Sequence, residues 1–172
     1  MRVLEEYKEL YYKEIEYTER LNSKINTCVT FLTIIGSGNI FVWSKLGNAA
    51  SGIYLWIYLI LCIISSYLFI ICSILFCKSY SGYEIHYYPI KEMALASKET
   101  YDLVTNGQID KEQAENHVIN MMAERYLNDA IYNRAQNRLK NKRHRCLIQW
   151  MAINFLILLV DYAVSIVFDY VQ

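Results

Sequence analysis

From Ile53 to Cys77 the chain runs for 25 residues without a charged side chain. At a rise of ~1.5 Å per residue, a helix of that length crosses the ~30 Å hydrocarbon core of a bilayer. Lipid offers no partners to backbone N–H and C=O groups, so an isolated run of this kind must satisfy them internally, as an α-helix does. Tyr54, Trp56 and Tyr58 lie near one end, where amphipathic rings favour the headgroup region. The run therefore points to an integral membrane protein built from helices.

Two other segments are measured against it. Residues 25–44 are also uncharged and long enough to span, although Gly36-Ser37-Gly38-Asn39 interrupts them. The link from Lys45 to Gly52, rich in Gly, Asn, Ala and Ser, suits a tight turn, so residues 25–78 are expected to form a transmembrane hairpin. Residues 146–172 are apolar but carry Gln149, Asn154, Asp161, Ser165 and Asp169. In a helix Asn154, Asp161 and Ser165 share one face. A carboxylate at mid-bilayer costs at least ~2.5–3.5 kcal/mol. Either that face looks at water or protein, or the segment is the core helix of a bundle outside lipid. If several copies turn the face inward, the three side chains line a water-filled centre that favours cations and requires a homo-oligomer.

The formal net charge is zero, yet the charges are strongly segregated. Arg2, Lys8, Lys13, Arg20 and Lys24 precede the hairpin, Lys45 alone lies in its turn, and eleven basic residues run from Lys78 to Arg145. An excess of Lys and Arg marks cytoplasmic loops, so both ends of the hairpin, the N-terminus included, are expected in the cytoplasm. Residues 1–24 read as an amphipathic helix, with Val3, Tyr7, Leu10, Tyr17 and Leu21 at three- and four-residue spacing. Residues 79–145 read as a cytoplasmic helical part built on a helix pair. Pro89 opens its first helix, Asn106-Gly107 stops it, and Asp110 with Gln113 forms a capping box ahead of a long helix from Lys111 to Arg145. Asn133, Asn137 and Asn141 form a ladder on that helix, suited either to a helix–helix or subunit contact or to a solvated face. The fold class expected is all-α.

Little here points to conventional enzymology. Cys28, Cys62, Cys72, Cys77 and Cys146 sit in or beside the apolar runs without a C-x-x-C pair, so neither a zinc site nor a disulfide framework is expected. His86 and His117 lack Asp, Glu or Cys at ligand spacing, and no nucleotide-binding, hydrolase or zinc-protease motif is present. No metal and no cofactor are expected. Arg134, Lys140, Lys142, Arg143 and Arg145 cluster just before the last apolar run, where they can hold anionic lipid headgroups or nucleic acid.

Within that cluster Arg138 and His144 match the R-x(4–6)-H spacing of HEPN ribonucleases. That resemblance implies an arginine and a histidine of two protomers meeting at a dimer interface to cleave RNA without metal, the cation stabilising the phosphorane and the imidazole moving protons. Leu139 departs from the polar residue that usually follows the arginine. The whole layout, apolar helices around a short helical cytoplasmic part with R-x5-H before the last helix, resembles the small transmembrane accessory proteins found beside the RNA-guided RNase of type VI-B CRISPR systems. More loosely, it is similar to compact membrane effectors of other bacterial anti-phage systems. The resemblance implies a pore-forming homo-oligomer in the bacterial inner membrane that depolarises the cell and strengthens the RNase. The alternative is a membrane-tethered HEPN-type RNase with Arg138 and His144 catalytic and RNA as substrate.

Overall fold

The computed structural model describes residues 2–46, 53–81, 83–87 and 90–171. They form four helices, α1 (Arg2–Lys45), α2 (Ile53–Tyr80), α3 (Ile90–Thr105) and α4 (Lys111–Val171), with no strand among the described residues. The amphipathic N-terminal stretch and the first apolar run are one helix. So are the long polar helix and the last apolar run. Most of the turn expected at 45–52, and Pro89, lie outside the described residues.

The chain packs as two units, one of residues 1–21 and 83–139, the other of residues 22–82 and 140–172. In the first, Tyr11, Tyr126 and Ala130 form a small core with Leu4, Tyr7, Leu10 and Ile15 around it. The Tyr11 and Tyr126 rings lie 5.4 Å apart at 59°. Helix α3 ends where expected, with Gly107 at φ 69°, in the left-handed region that glycine enters at little cost. The capping box forms as well: the Gln113 N–H donates to Asp110 Oδ1 (2.7 Å), and the Asp110 N–H to Gln113 Oε1 (3.3 Å).

The second unit is a bundle of α1, α2 and α4 around Cys28, Ile35, Val42, Tyr58, Cys62, Cys72, Leu147, Met151 and Leu158. Three of its helices are long and apolar enough to cross a membrane. Their outer faces carry Phe31, Ile40, Trp56, Ile63, Tyr67, Ile70, Leu156 and Val160 exposed. So large a display of exposed apolar side chains fits lipid and not water. This is an all-α membrane protein. Gly36-x-Gly38 does not interrupt α1. A Cβ at Gly38 would stand 3.2 Å from Leu158 Cδ1, and one at Gly36 3.2 Å from Phe69 Cζ. The two glycines are what let side chains of α4 and α2 press against the α1 backbone. Trp56 is exposed, but Tyr58 turns inward and donates its hydroxyl to the Val42 carbonyl at 2.7 Å.

Candidate functional site

One stripe of buried positions on α4 keeps a spacing of four and three: Tyr126, Ala130, Asn133, Asn137, Lys140, His144, Leu147, Met151, Asn154, Leu158, Asp161 and Ser165, with Asp129 buried beside its start. That is the repeat of a helix packed along its length on neighbours. Seven of these twelve side chains are polar. Cores of this kind are normally apolar, and each polar member needs its own partner.

In the membrane bundle the stripe carries Asn154, Asp161 and Ser165, which share one face as their spacing requires. All three are buried inside the bundle. The Asn154 amide lies 3.1 Å from Ser65 Oγ of α2. With its nitrogen on that side it donates to Ser65 Oγ and, at 3.3 Å, to the Ser65 carbonyl, while its oxygen accepts from the Phe69 N–H at 3.1 Å. Ser165 donates to the Tyr162 carbonyl one turn back, at 2.8 Å. Asp161 is different. It is completely buried, and both carboxylate oxygens lack a hydrogen-bond partner among the described residues. Asn39 of α1, also buried, donates to the Ile35 carbonyl (3.0 Å) and leaves its Oδ1 unpartnered. The unsatisfied side-chain oxygens of Asp161 and Asn39 are all capable of accepting hydrogen bonds.

At the other end of the bundle the stripe carries Lys140 and His144. Lys140 donates to Asn22 Oδ1, and Arg143 to the Lys78 carbonyl at 3.2 Å. These contacts bring the basic residues flanking all three apolar runs to the same end, leaving only Lys45 beyond the other. Burial pushes the Lys140 ammonium below its usual range. His144 is buried with Nδ1 3.9 Å from Cys28 Sγ, and burial, reinforced by the charge of Lys24, lowers its pKa so that the neutral imidazole is favoured. Arg138 is exposed on its own face of α4, as are Arg134, Lys142, Arg143 and Arg145. Arg138 and His144 thus share a helix but not a face. RNA cleavage through this pair requires His144 to leave its place against Cys28.

The first unit holds a site that sequence spacing missed. The Asn133 amide closes a two-bond clasp on the backbone of His86, accepting from its N–H (2.9 Å) and donating to its carbonyl (3.0 Å). Tyr11 donates its hydroxyl to the same carbonyl at 3.3 Å. The His86 ring stacks on Tyr132 at 3.9 Å and 12°, and its Nδ1 lies 3.1 Å from Oδ1 of buried Asp129. Arg125 Nε approaches the other Asp129 oxygen at 3.3 Å. One turn further on, Asn137 donates to the Glu14 carbonyl (3.0 Å) and Oε2 (3.1 Å) and accepts from Thr18 (2.9 Å). Two rungs of the asparagine ladder are therefore used within the chain. Asp129 lies 43 positions from His86, a separation no local motif could reveal. Among the described residues no group of three or more metal-ligating side chains is present.

Comparison with protein-family models, with curated proteins and with solved structures finds no match for this chain.

Proposed function

We propose that this protein is a membrane effector that opens an ion pathway when several copies assemble, and that Asn154, Asp161 and Ser165 of α4 line it. The bundle described above is then the closed form, with the polar face folded against α1 and α2 of its own chain. The observation that carries the reading is Asp161, fully buried among apolar helices with neither oxygen partnered among the described residues. A helix that served only as an anchor would gain from an apolar residue there, and an ionisable group within a membrane segment is by default a functional one. Moving the face into a shared, hydrated centre replaces an unsatisfied site by a solvated one. That difference favours opening, and a ring of carboxylates favours cations.

The resemblance to the transmembrane accessory proteins of type VI-B CRISPR systems supports a setting for this activity. It is antiviral defence, in which depolarising the bacterial inner membrane strengthens the action of an RNA-guided RNase. The basic ends of the three apolar runs support a cytoplasmic N-terminus, and the position of Lys142, Arg143 and Arg145 just before the last apolar run supports contact with anionic lipid there. The test is flux through liposomes containing the purified protein. Asp161→Leu is expected to abolish it while leaving membrane insertion intact. Unchanged conductance would remove Asp161 from the pathway.

A further inference from the structure

His86 is held more elaborately than a connector needs. The Asn133 clasp alone fixes the backbone at this point. The ring is fixed separately, its face by Tyr132 and its Nδ1 edge by Asp129. A carboxylate only accepts hydrogen bonds, so in the neutral ring Nδ1 carries the proton and Nε2 keeps the lone pair. The side chain is 42% exposed against 3% for Asp129, and among the described residues nothing hydrogen-bonds to Nε2. A carboxylate on the far nitrogen raises the electron density and fixes the aim of the near one, the same device that orients reacting and metal-binding histidines elsewhere. Among the described residues no side-chain hydroxyl or thiol is hydrogen-bonded to Nε2 for the imidazole to activate, so the ring itself is the reacting group. The Arg125 guanidinium, 3.3 Å from the other Asp129 oxygen, sets a cation beside the carboxylate and so tempers its repulsion of an approaching anion.

We propose that His86 is a phosphoryl-acceptor site: Nε2 takes a phosphoryl group from a small donor of the acyl phosphate or phosphoramidate class, with Asp129 as the positioning residue. The Nε2 lone pair forms the N–P bond as the bond from phosphorus to the donor's leaving group breaks. With phosphoramidate the leaving group departs as ammonia, taking its proton from solvent. The imidazolium keeps its Nδ1 proton on Asp129, and no electron transfer is involved. The product places a phosphoryl group's negative charge on the chain between α2 and α3.

The chain's three histidines make the test internal. His117 is exposed and His144 buried, and neither has a carboxylate partner among the described residues. The full-length protein in detergent is incubated with phosphoramidate, and acid-labile phosphoryl addition is followed by peptide mass spectrometry. His86 should react about tenfold or more faster than His117, a difference of ~1.4 kcal/mol in activation free energy, with His144 slowest. Asp129→Asn should bring the His86 rate down to that of His117, and His86→Gln should remove the modified peptide. Equal rates at His86 and His117 in the unaltered protein would overturn the proposal without any variant having to fold. So would a His86 rate indifferent to Asp129→Asn in a protein that keeps its helical content.

Discussion

Replacing Asp161 by leucine should make the protein more stable while removing the activity proposed for it. At the centre of a membrane helix, Asp costs ~2.5–3.5 kcal/mol and Leu contributes about −0.5 kcal/mol on the insertion scale. Among the described residues no hydrogen bond offsets the cost, because both Asp161 oxygens are unpartnered there. The exchange therefore favours leucine by roughly 3–4 kcal/mol, from which an overpacking term of about 1–3 kcal/mol is subtracted for a larger side chain at a fully buried site. A net stabilisation of about 0–3 kcal/mol remains, and swapping a buried ionic group for an apolar one is often neutral or favourable elsewhere. Asp161→Asn keeps the volume and removes the charge, so it isolates the electrostatic part. The assay is reversible denaturation in mixed micelles, followed by the loss of helical signal. If both variants lose more than about 1 kcal/mol, the carboxylate has a partner that stabilises it, and the reasoning from an unsatisfied buried charge is refuted.

Asn133→Ala leaves the N–H and carbonyl of His86 without their clasp and should cost about 2 kcal/mol; amide exchange at residues 83–87 should quicken in parallel, and unchanged exchange would contradict the role given to Asn133. His144 has a depressed pKa in the folded state, so the unfolded chain takes up its proton first. Stability should then fall as the pH drops below the unfolded value of ~6.5 and continue falling until the folded histidine also protonates. His144→Gln should flatten that slope in thermal melts, and an unchanged slope would place the titration elsewhere.

The sequence made the lipid-facing parts legible and hid the seam between them. Residues 53–77 carry no charge because one face meets lipid and the other meets mostly apolar neighbours, so hydropathy alone finds α2. The common face of Asn154, Asp161 and Ser165 could likewise be read from spacing. That the face packs on Ser65 and its surroundings could not, because partners in other helices leave no trace in local spacing. The buried stripe of α4 escaped for a related reason. A search for helical burial looks for apolar residues at three- and four-residue intervals, and over positions 133–144 this stripe reads Asn, Asn, Lys, His. The two asparagines and the lysine are buried because Glu14, Thr18, Asn22 and His86 supply hydrogen-bonding groups, and His144 lies against Cys28; none is there because it is apolar. The glycines of α1 resembled a break and proved to be a place where side chains of α2 and α4 close in. Arg138 and His144 matched a spacing, but a six-residue step turns a helix by about 240°, which sets one side chain outward and the other inward.

The closed form requires the polar stripe of α4 to pack inside its own chain's bundle, and cross-linking tests this most directly. Ser65→Cys and Asn154→Cys, in a protein otherwise free of cysteine, place two thiols where side chains now meet at 3.1 Å. A short bifunctional thiol reagent applied to native membranes should join them within one chain. The yield should not change when the protein is diluted into excess lipid, and the product should run as a monomer on denaturing gels. Cross-linking only between chains, or none at all, would contradict the packing on which the closed form depends.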